Sequence, residues 1–484
     1  MRPAAVHAEG LSWHPWGSRR ATLDCLELHL EPGERVLITG PSGGGKSTLL
    51  QALAGVLDGI GDGELAGRLQ VDGRPPHGGD AALLLQNPAA GLVAATVGRE
   101  VAFGLENQAV PRSRLWPRIR QTLAAVALNT SLEHRCDELS GGETQRLALA
   151  GVIAPATGLL LLDEPTSMLD PAAALAVRST VAQLIAARTI TMVVAEHRLE
   201  GWLELADRVV VVAHGRIVAD FPPAHLAAAQ EALLDYGVWV PGAPPPQPSP
   251  VTASLCAPWR SATAATRLLS ADQVTVQRRR GLTLPATSID VRSGQLQAVL
   301  GPSGSGKSTL LSVLSGMRRP TSGRIAASSA LARGLTDQPW RWTSPQLAQR
   351  VGLAAQDPWL TVAGPTAHRS ASATTAALGR QASSRIEGLF AELGIAHLAG
   401  RHPRRLSGGQ ARRLALATAF AHGPDLVLLD EPTIGQDRHT WAAVAGIIGS
   451  AAAAGTAVVA ATHDSALAEV AAVHTHLSGE GSTS

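Results

Sequence analysis

Two stretches of the chain carry the residue types that hold a phosphate chain. Residues 40–47 read Gly-Pro-Ser-Gly-Gly-Gly-Lys-Ser, and residues 301–308 read Gly-Pro-Ser-Gly-Ser-Gly-Lys-Ser. Both fit the pattern G-x-x-x-x-G-K-[ST]. Each follows a short apolar run, Val36–Ile38 or Ala298–Leu300, and precedes a helical pattern, Thr48–Leu53 or Thr309–Leu314. Glycines allow successive N–H groups to turn inward around a phosphate, and the following helix start adds its positive dipole end. Lys46 and Lys307 are the only lysines among 41 lysine and arginine residues. A compact, mobile ammonium suits a phosphate better there than a planar guanidinium does. The residues assigned to the phosphates are Gly40, Ser42, Gly43, Gly45, Lys46, Ser47 and Thr48. In the second copy they are Gly301, Ser303, Gly304, Gly306, Lys307, Ser308 and Thr309.

A phosphate loop alone says only that phosphate is bound; hydrolysis needs an acid pair. Leu159–Leu162 runs into Asp163-Glu164-Pro165, and a second apolar run ends in Asp430-Glu431-Pro432. An aspartate at a strand end can hold Mg²⁺ together with the hydroxyl of Ser47 or Ser308. The glutamate one residue on, Glu164 or Glu431, can polarise an attacking water. An Asp-Glu-Pro triplet can also simply cap a helix. The apolar run and the upstream phosphate loop favour catalysis.

Leu139–Glu143 and Leu406–Gln410 read Leu-Ser-Gly-Gly-Glu and Leu-Ser-Gly-Gly-Gln, and each opens a helical pattern. Ser140, Gly141, Gly142 and Ser407, Gly408, Gly409, Gln410 therefore make an anion-binding helix end without a lysine. Such an element is redundant for a domain's own nucleotide, but useful for closing over one held elsewhere. At this point the chain resembles a tandem, fused ATP-binding-cassette ATPase over nearly its whole length. The resemblance implies two phosphate-loop nucleotide-binding domains, each with a parallel-sheet core, an antiparallel β subdomain and a helical subdomain. It implies ATP and Mg²⁺, and head-to-tail pairing of the cassettes within one chain. One site would combine Gly40–Ser47, Gln86, Asp163, Glu164 and His197 with Ser407–Gln410. The other would combine Gly301–Ser308, Gln356, Asp430, Glu431 and His463 with Ser140–Glu143. His197 and His463 resemble the switch histidine that contacts the γ-phosphate. Gln86 and Gln356 resemble the glutamine that reaches the metal and water, which makes the expected Mg²⁺ set Ser47, Gln86, Asp163 and Ser308, Gln356, Asp430. The aromatic that stacks adenine in this family would be Trp13 or Trp16 in the first half. In the second half the matching stretch is Val276–Arg280, where an arginine plane would have to substitute. The loop Ser167–Asp170 fits the family, whereas Ile434–Asp437 is altered but keeps its aspartate.

The elements that must position these groups follow in chain order. Ala8–Trp16 and Leu26–Leu30 read as strands, Leu57–Gly73 as a Gly-rich hairpin region, and Ala82–Leu85 as a strand before Gln86-Asn87-Pro88. Helical spacing dominates Val97–Leu132 and Thr144–Ile153, and Thr191–Ala195 is a strand before Glu196-His197. Strands alternating with helices predict an α/β fold with a parallel sheet. The whole plan then restarts: Lys46, Gln86, Ser140, Asp163 and His197 recur in order as Lys307, Gln356, Ser407, Asp430 and His463. This is duplication of a domain rather than a short solenoid repeat. The expected division is a first cassette over 1–240, a Pro-rich linker over 241–266 and a second cassette over 267–484. Pro241–Pro250 reads as a stiff spacer or a tether.

Composition narrows the class. A chain of 484 residues exceeds one ordinary core. The formal net charge of +2 gives no argument for a nucleic-acid partner, and the isolated run Arg278–Arg280 is more cheaply a solvated turn. Three scattered cysteines point to a reducing compartment. No apolar run reaches the ~18 residues of a membrane helix, and the N-terminus lacks a signal-peptide core. Gln86-Asn87-Pro88 with Glu100–Asn107 resembles the ATPases of energy-coupling-factor importers of vitamins and transition metals. Glu196–Glu200 with Trp202 resembles fused members tied to hydroxymethylpyrimidine/thiamine uptake. The resemblance implies a transmembrane scaffold, a small membrane substrate-binding subunit and a peripheral position on the cytoplasmic face of the membrane. The alternatives are a soluble tandem cassette acting on ribosomes or nucleic acid, and a sugar-importer tandem cassette. The first expects a long, charged, helical linker, and the second expects a degenerate signature in one half. Neither expectation fits this sequence.

Overall fold

Each Asp-Glu pair sits where it does because a run of branched apolar residues can be buried on both faces only inside a parallel sheet. The computed structural model describes residues 2–477 apart from 19, 58–62, 88–90, 140, 168, 188, 261–264 and 279–280. The chain divides into two units, Met1–Pro244 and Pro245–Ser484.

In the first unit the strands are β1 (Val6–Pro15), β2 (Leu23–Leu30), β3 (Arg35–Thr39), β4 (Gly63–Val71), β5 (Ala81–Leu84), β6 (Leu159–Asp163), β7 (Thr191–Ala195), β8 (Arg208–Ala213) and β9 (Arg216–Phe221). A six-stranded sheet runs β5-β6-β7-β3-β8-β9, and a three-stranded sheet runs β2-β1-β4. Pairing is parallel from β5 through β8, while β9 returns antiparallel on β8 and the smaller sheet is antiparallel throughout. All five residues of β6 are buried. Truncating one such leucine to alanine costs about 2–5 kcal/mol.

The second unit repeats this with β10 (Arg267–Arg278), β11 (Gly281–Arg292), β12 (Leu296–Leu300), β13 (Ser322–Ala327), β14 (Val351–Ala354), β15 (Leu426–Asp430), β16 (Ala457–Ala461) and β17 (Val473–His476). Its parallel sheet runs β14-β15-β16-β12-β17, with an antiparallel sheet β11-β10-β13. The α/β class with parallel cores, antiparallel sheets and helical segments is as the sequence predicts.

Three local expectations change. Within Leu57–Gly73 the described part forms a single strand, β4, which pairs with β1 from Val6↔Val71 to Pro15↔Gly63 instead of folding back on itself. The expected helical stretch Val97–Leu132 is two helices, Val97–Asn107 and Arg112–Ala125. Ala109 adopts a left-handed φ of 54°, and Pro111 caps the second helix, because proline has no N–H to continue the first.

The third change concerns the Pro-rich segment: its later part lies on the second unit as a strap. Ser249 N–H donates to Ala442 O at 2.9 Å, Trp259 N–H donates to Gly423 O at 2.7 Å, and the Cys256 carbonyl accepts from Thr456 Oγ1 at 3.2 Å. Helix Arg438–Ala453 carries Gly446 where the strap crosses; a Cβ there would lie 1.9 Å from Ser249 O. Among the described residues, no helix is long and apolar enough to cross a membrane.

Candidate active sites

Each phosphate loop joins a central strand to a helix, β3 to Lys46–Leu53 and β12 to Lys307–Leu314. The joint is a left-handed glycine at the helix N-cap: Gly45 at φ 108° and Gly306 at φ 97°. A Cβ on these two would meet a backbone carbonyl, Thr22 O at 2.8 Å or Thr283 O at 2.6 Å, so conformation and space both require glycine. Lys46 Nζ donates to Gly40 O (2.8 Å) and Pro41 O (3.0 Å); Lys307 Nζ donates to Gly301 O (2.7 Å) and Pro302 O (3.0 Å). Both ammonium groups therefore curl over their own loops, at the place a phosphate chain would take.

In the first unit Ser47 Oγ donates to Asp163 Oδ1 at 3.1 Å. Glu164 is the best-connected group: its Oε2 accepts from Gln86 Nε2 at 2.8 Å, and its Oε1 lies 3.0 Å from His197 Nε2. Its backbone is left-handed at φ 47° and donates to Ala195 O at 2.8 Å, which turns the side chain off the end of β6. Non-glycine residues held this way cost about 1–3 kcal/mol and concentrate at functional sites. Burial pushes both carboxyls up. For Asp163, burial and then the charge of Glu164 raise it to about 7 against Ser47 and Lys46. For Glu164, burial is outweighed by His197, Lys46 and Gln86, and its carboxyl ends below the usual range.

The second site has the same backbone but different wiring. Glu431 is left-handed at φ 50° and donates to Ala461 O at 2.8 Å. Its Oε2 accepts from Thr462 Oγ1 (3.3 Å) and His463 N–H (3.2 Å), and His463 Nε2 is 3.5 Å from its Oε1. The same Nε2 lies 2.9 Å from Lys307 Nζ. Burial raises Glu431 to about 7, only partly offset by His463 and Lys307. Asp430 is raised by burial and lowered in part by a hydrogen bond from Ser308.

Gln356 does not reach this cluster. Its side chain is exposed, and its backbone carbonyl accepts from Arg412 Nη2 at 3.3 Å. Arg412 also donates to the carbonyls of Glu431 and Ile434. The first half has Gln145 at that position, with its amide on Pro165 O at 2.8 Å.

Of the two Leu-Ser-Gly-Gly stretches, Gly141 and Gly142 begin the helix Gly141–Ile153, while Ser140 lies outside the described residues. Ser407 caps the helix Gly408–Ala421, accepting from Gln410 N–H at 3.3 Å, while Ser407 N–H donates to Gln410 Oε1 at 3.0 Å. Within the expected adenine platform Trp13 is a core residue, 5% exposed on β1, whereas Trp16 is 65% exposed. Arg279 and Arg280 lie outside the described residues, as do Pro88 and Met168.

The donor set fits a phosphate chain with a hard cation. A hydroxyl paired with a carboxylate that burial keeps from ionising freely is a hard-oxygen site in need of positive charge. The loop backbone packs so tightly on its own unit that a Cβ on Gly40 or Gly44 would strike Val212 O.

Sequence reasoning missed how the histidine corners are braced. In the first unit Glu196 Oε1 accepts from Thr166 Oγ1 (2.6 Å) and Thr166 N–H (3.0 Å), and Trp202 Nε1 donates to Thr166 Oγ1 at 3.3 Å. Burial, then the charge of Glu164, raises Glu196 to about 7 against those bonds. In the second unit Asp464 Oδ2 accepts from Thr433 Oγ1 (2.8 Å) and Trp441 Nε1 (2.6 Å). The available signal was a carboxylate directly before His197 or directly after His463.

A family model described as ABC transporter matches residues 23–167 and 284–434, once in each unit. The chain belongs to the ABC transporter ATP-binding family. A Streptomyces coelicolor protein named "Putative ABC transporter ATP-binding protein SCO2324" is 34% identical over 96% of this chain and 90% of that protein. A Bacillus subtilis protein named "Putative HMP/thiamine import ATP-binding protein YkoD" is 31% identical over 94% and 86%. Among solved structures, one titled "Model of ribosome-bound archaeal Pelota and ABCE1" covers 94% of this chain and 74% of its own, with a TM-score of 0.62 and 20% identity. That likeness concerns the fold. This ABC protein is an ATPase with two cassettes in one chain.

Proposed function

We propose that this ABC ATPase powers uptake of a micronutrient, a vitamin or its precursor such as thiamine/hydroxymethylpyrimidine, or a transition metal, through a separate membrane scaffold. The observation that carries the reading is that both units keep a complete hydrolytic set: lysine on a glycine loop, serine–aspartate pair, glutamate and histidine. Lys46, Lys307 and the glycine loops would hold ATP phosphates. Ser47 with Asp163, and Ser308 with Asp430, would hold Mg²⁺, joined by Gln86 and, after rotation of its side chain, Gln356. The metal supplies positive charge against the phosphate oxygens. Glu164 and Glu431 orient and polarise the attacking water, and His197 and His463 meet the γ-phosphate.

Each nucleotide would be closed by the helix start of the other cassette, Ser407–Gln410 over the first and Ser140–Glu143 over the second. ATP binding then draws the halves together, and hydrolysis releases them. Fusion into one chain raises their mutual concentration to about millimolar.

The importer reading is supported by the surface of the segment that follows Gln86 in the chain. Glu100 is buried and accepts from Val93 N–H (3.0 Å) and Ala94 N–H (2.7 Å); Val93 is 64% exposed, and Phe103, on the helix Val97–Asn107, is 50% exposed. These are apolar groups without cover, suited to a scaffold helix. A small substrate-binding subunit in the membrane would complete the complex, with this chain peripheral on the cytoplasmic face. The test is affinity capture of the tagged full chain from detergent-solubilised membranes of the source cell. A multispanning membrane protein should co-purify, and Phe103→Asp should remove it. Recovery of ribosomal proteins in its place would overturn the importer reading.

A further inference from the structure

We propose that the segment Val238–Val240, where the chain leaves the first unit, is a positioning element for His197, tying the start of the connection between the cassettes to the first ATP site. This inference rests on the role proposed for His197.

The ring of this histidine is held at one nitrogen only. Nε2 faces Glu164, while Nδ1 is buried without a hydrogen-bond partner. A histidine with a working Nε2 is ordinarily oriented by a bond at the other nitrogen. Here the orientation must come from the backbone.

That backbone is stitched to a strand-like piece some forty residues on in the sequence. Trp239 N–H donates to His197 O at 3.1 Å, and Leu199 N–H donates to Trp239 O at 3.2 Å, forming a parallel bridge between Arg198 and Trp239. The Arg198 guanidinium sits 4.2 Å from the centre of the Trp239 ring. Val238 is 0%, Trp239 8% and Val240 5% exposed, and Val238 and Val240 share a core with Leu199 and Trp202. The carbonyl of His197 therefore cannot shift unless Trp239 shifts or a buried hydrogen bond breaks.

Among the described residues, the second histidine is followed by a different arrangement. After His463, Asp464 caps the short helix Ser465–Val470, accepting from Ala466 N–H at 3.1 Å, and braces against Thr433 and Trp441. The chain continues into β17 of the sheet. Pro241 follows Val240 directly, so a pull on the Pro-rich segment reaches Trp239 through one residue. The first site is thereby the one whose histidine senses that segment.

The test is steady-state ATP hydrolysis by the full chain. Arg198 is exposed, so Arg198→Ala should fold; it removes the stacking on Trp239. We expect kcat to fall three- to fivefold with KM for ATP and the melting temperature unchanged, and Arg198→Lys to restore most of the loss. Trp239→Pro removes the N–H donated to His197 and should lower kcat at least tenfold. For Arg198→Ala, a merely structural role would move KM and melting temperature together with kcat, and that outcome would overturn the proposal. So would kcat within twofold of the parent for both variants while His197→Ala is impaired. Full turnover in His197→Ala would refute the role of the histidine itself, and this inference with it.

Discussion

The two histidine corners use the same three groups, a carboxylate, a threonine and a tryptophan, taken from different places in the chain. In the first the carboxylate precedes the histidine (Glu196) and the tryptophan follows it (Trp202); in the second the carboxylate follows (Asp464) and the tryptophan comes from a preceding helix (Trp441). Only the threonine, Thr166 or Thr433, keeps its place after Glu-Pro. A buried carboxylate beside a catalytic loop must be paired wherever its partners come from. Space rather than alignment therefore decides the donor. The same duplication leaves Glu164 gripped by Gln86 and His197, while Glu431 lacks the glutamine. Equal motifs have become unequal sites.

The sharpest way to break this comparison is at the glutamates. Glu164→Gln with Glu431→Gln should lower ATP turnover at least ~100-fold, since a positioned base contributes about 10²–10⁴. Glu164→Gln alone should cost more than Glu431→Gln alone. Equal single-variant rates would erase the distinction drawn from their partners.

A second difference lies behind the second site. His422 is buried with its ring 3.3 Å from Val351 O, and burial lowers its pKa to about 4, whereas the aligned position in the first half is Pro155. A histidine depressed in the fold takes its proton first in the unfolded chain. Its contribution is thus complete above about pH 6.5 and is lost as the pH falls toward 4. Chemical unfolding of the second unit should be easier by about 2 kcal/mol at pH 5 than at pH 7 from this group. His422→Leu should flatten that slope; an unchanged slope would remove the histidine from the account.

The glutamines come next. Gln86→Ala should lower turnover about tenfold, because it strips a donor from a buried carboxylate. Gln356→Ala should stay within twofold, its side chain being in solvent. A tenfold loss for Gln356→Ala would mean that its side chain swings in during turnover, and the asymmetry would then belong to the resting chain alone. The smallest effect should be on stability at the braces. Thr166→Val leaves Glu196 without its two-point partner's hydroxyl, while in Thr433→Val the Trp441 indole still serves Asp464. Unfolding free energies from denaturant titration should separate the two variants by about 1 kcal/mol, with Thr166→Val the weaker. The reverse order would show that the indole is the less effective partner.

The phosphate loops, the acid pairs and the repeat were legible in residues adjacent in the chain. A glycine that must be left-handed, or an acid that must leave a buried strand, is dictated by local backbone and burial, so its signature is contiguous. Leu159–Asp163 needs no knowledge of β5 or β7 to announce a doubly buried strand. Helix–loop detail was less visible, because the break at Pro111 competes with apolar spacing that continues through it.

What the amino-acid order could not decide is partnership across long separations. Trp13 and Trp16 look alike as adenine platforms until β1 is paired with β2 and β4, which buries one and leaves the other out. Gln86 and Gln356 are equivalent letters, yet one meets Glu164 and the other faces water beside Arg412. Trp239 reads as the end of a domain and becomes the support of His197. Sequence alone picked out the candidate groups for holding a phosphate chain and polarising a water, because those patterns are set by neighbours along the chain. Tertiary packing alone decided which of them are braced and by what, because hydrogen bonds and burial depend on distance in space.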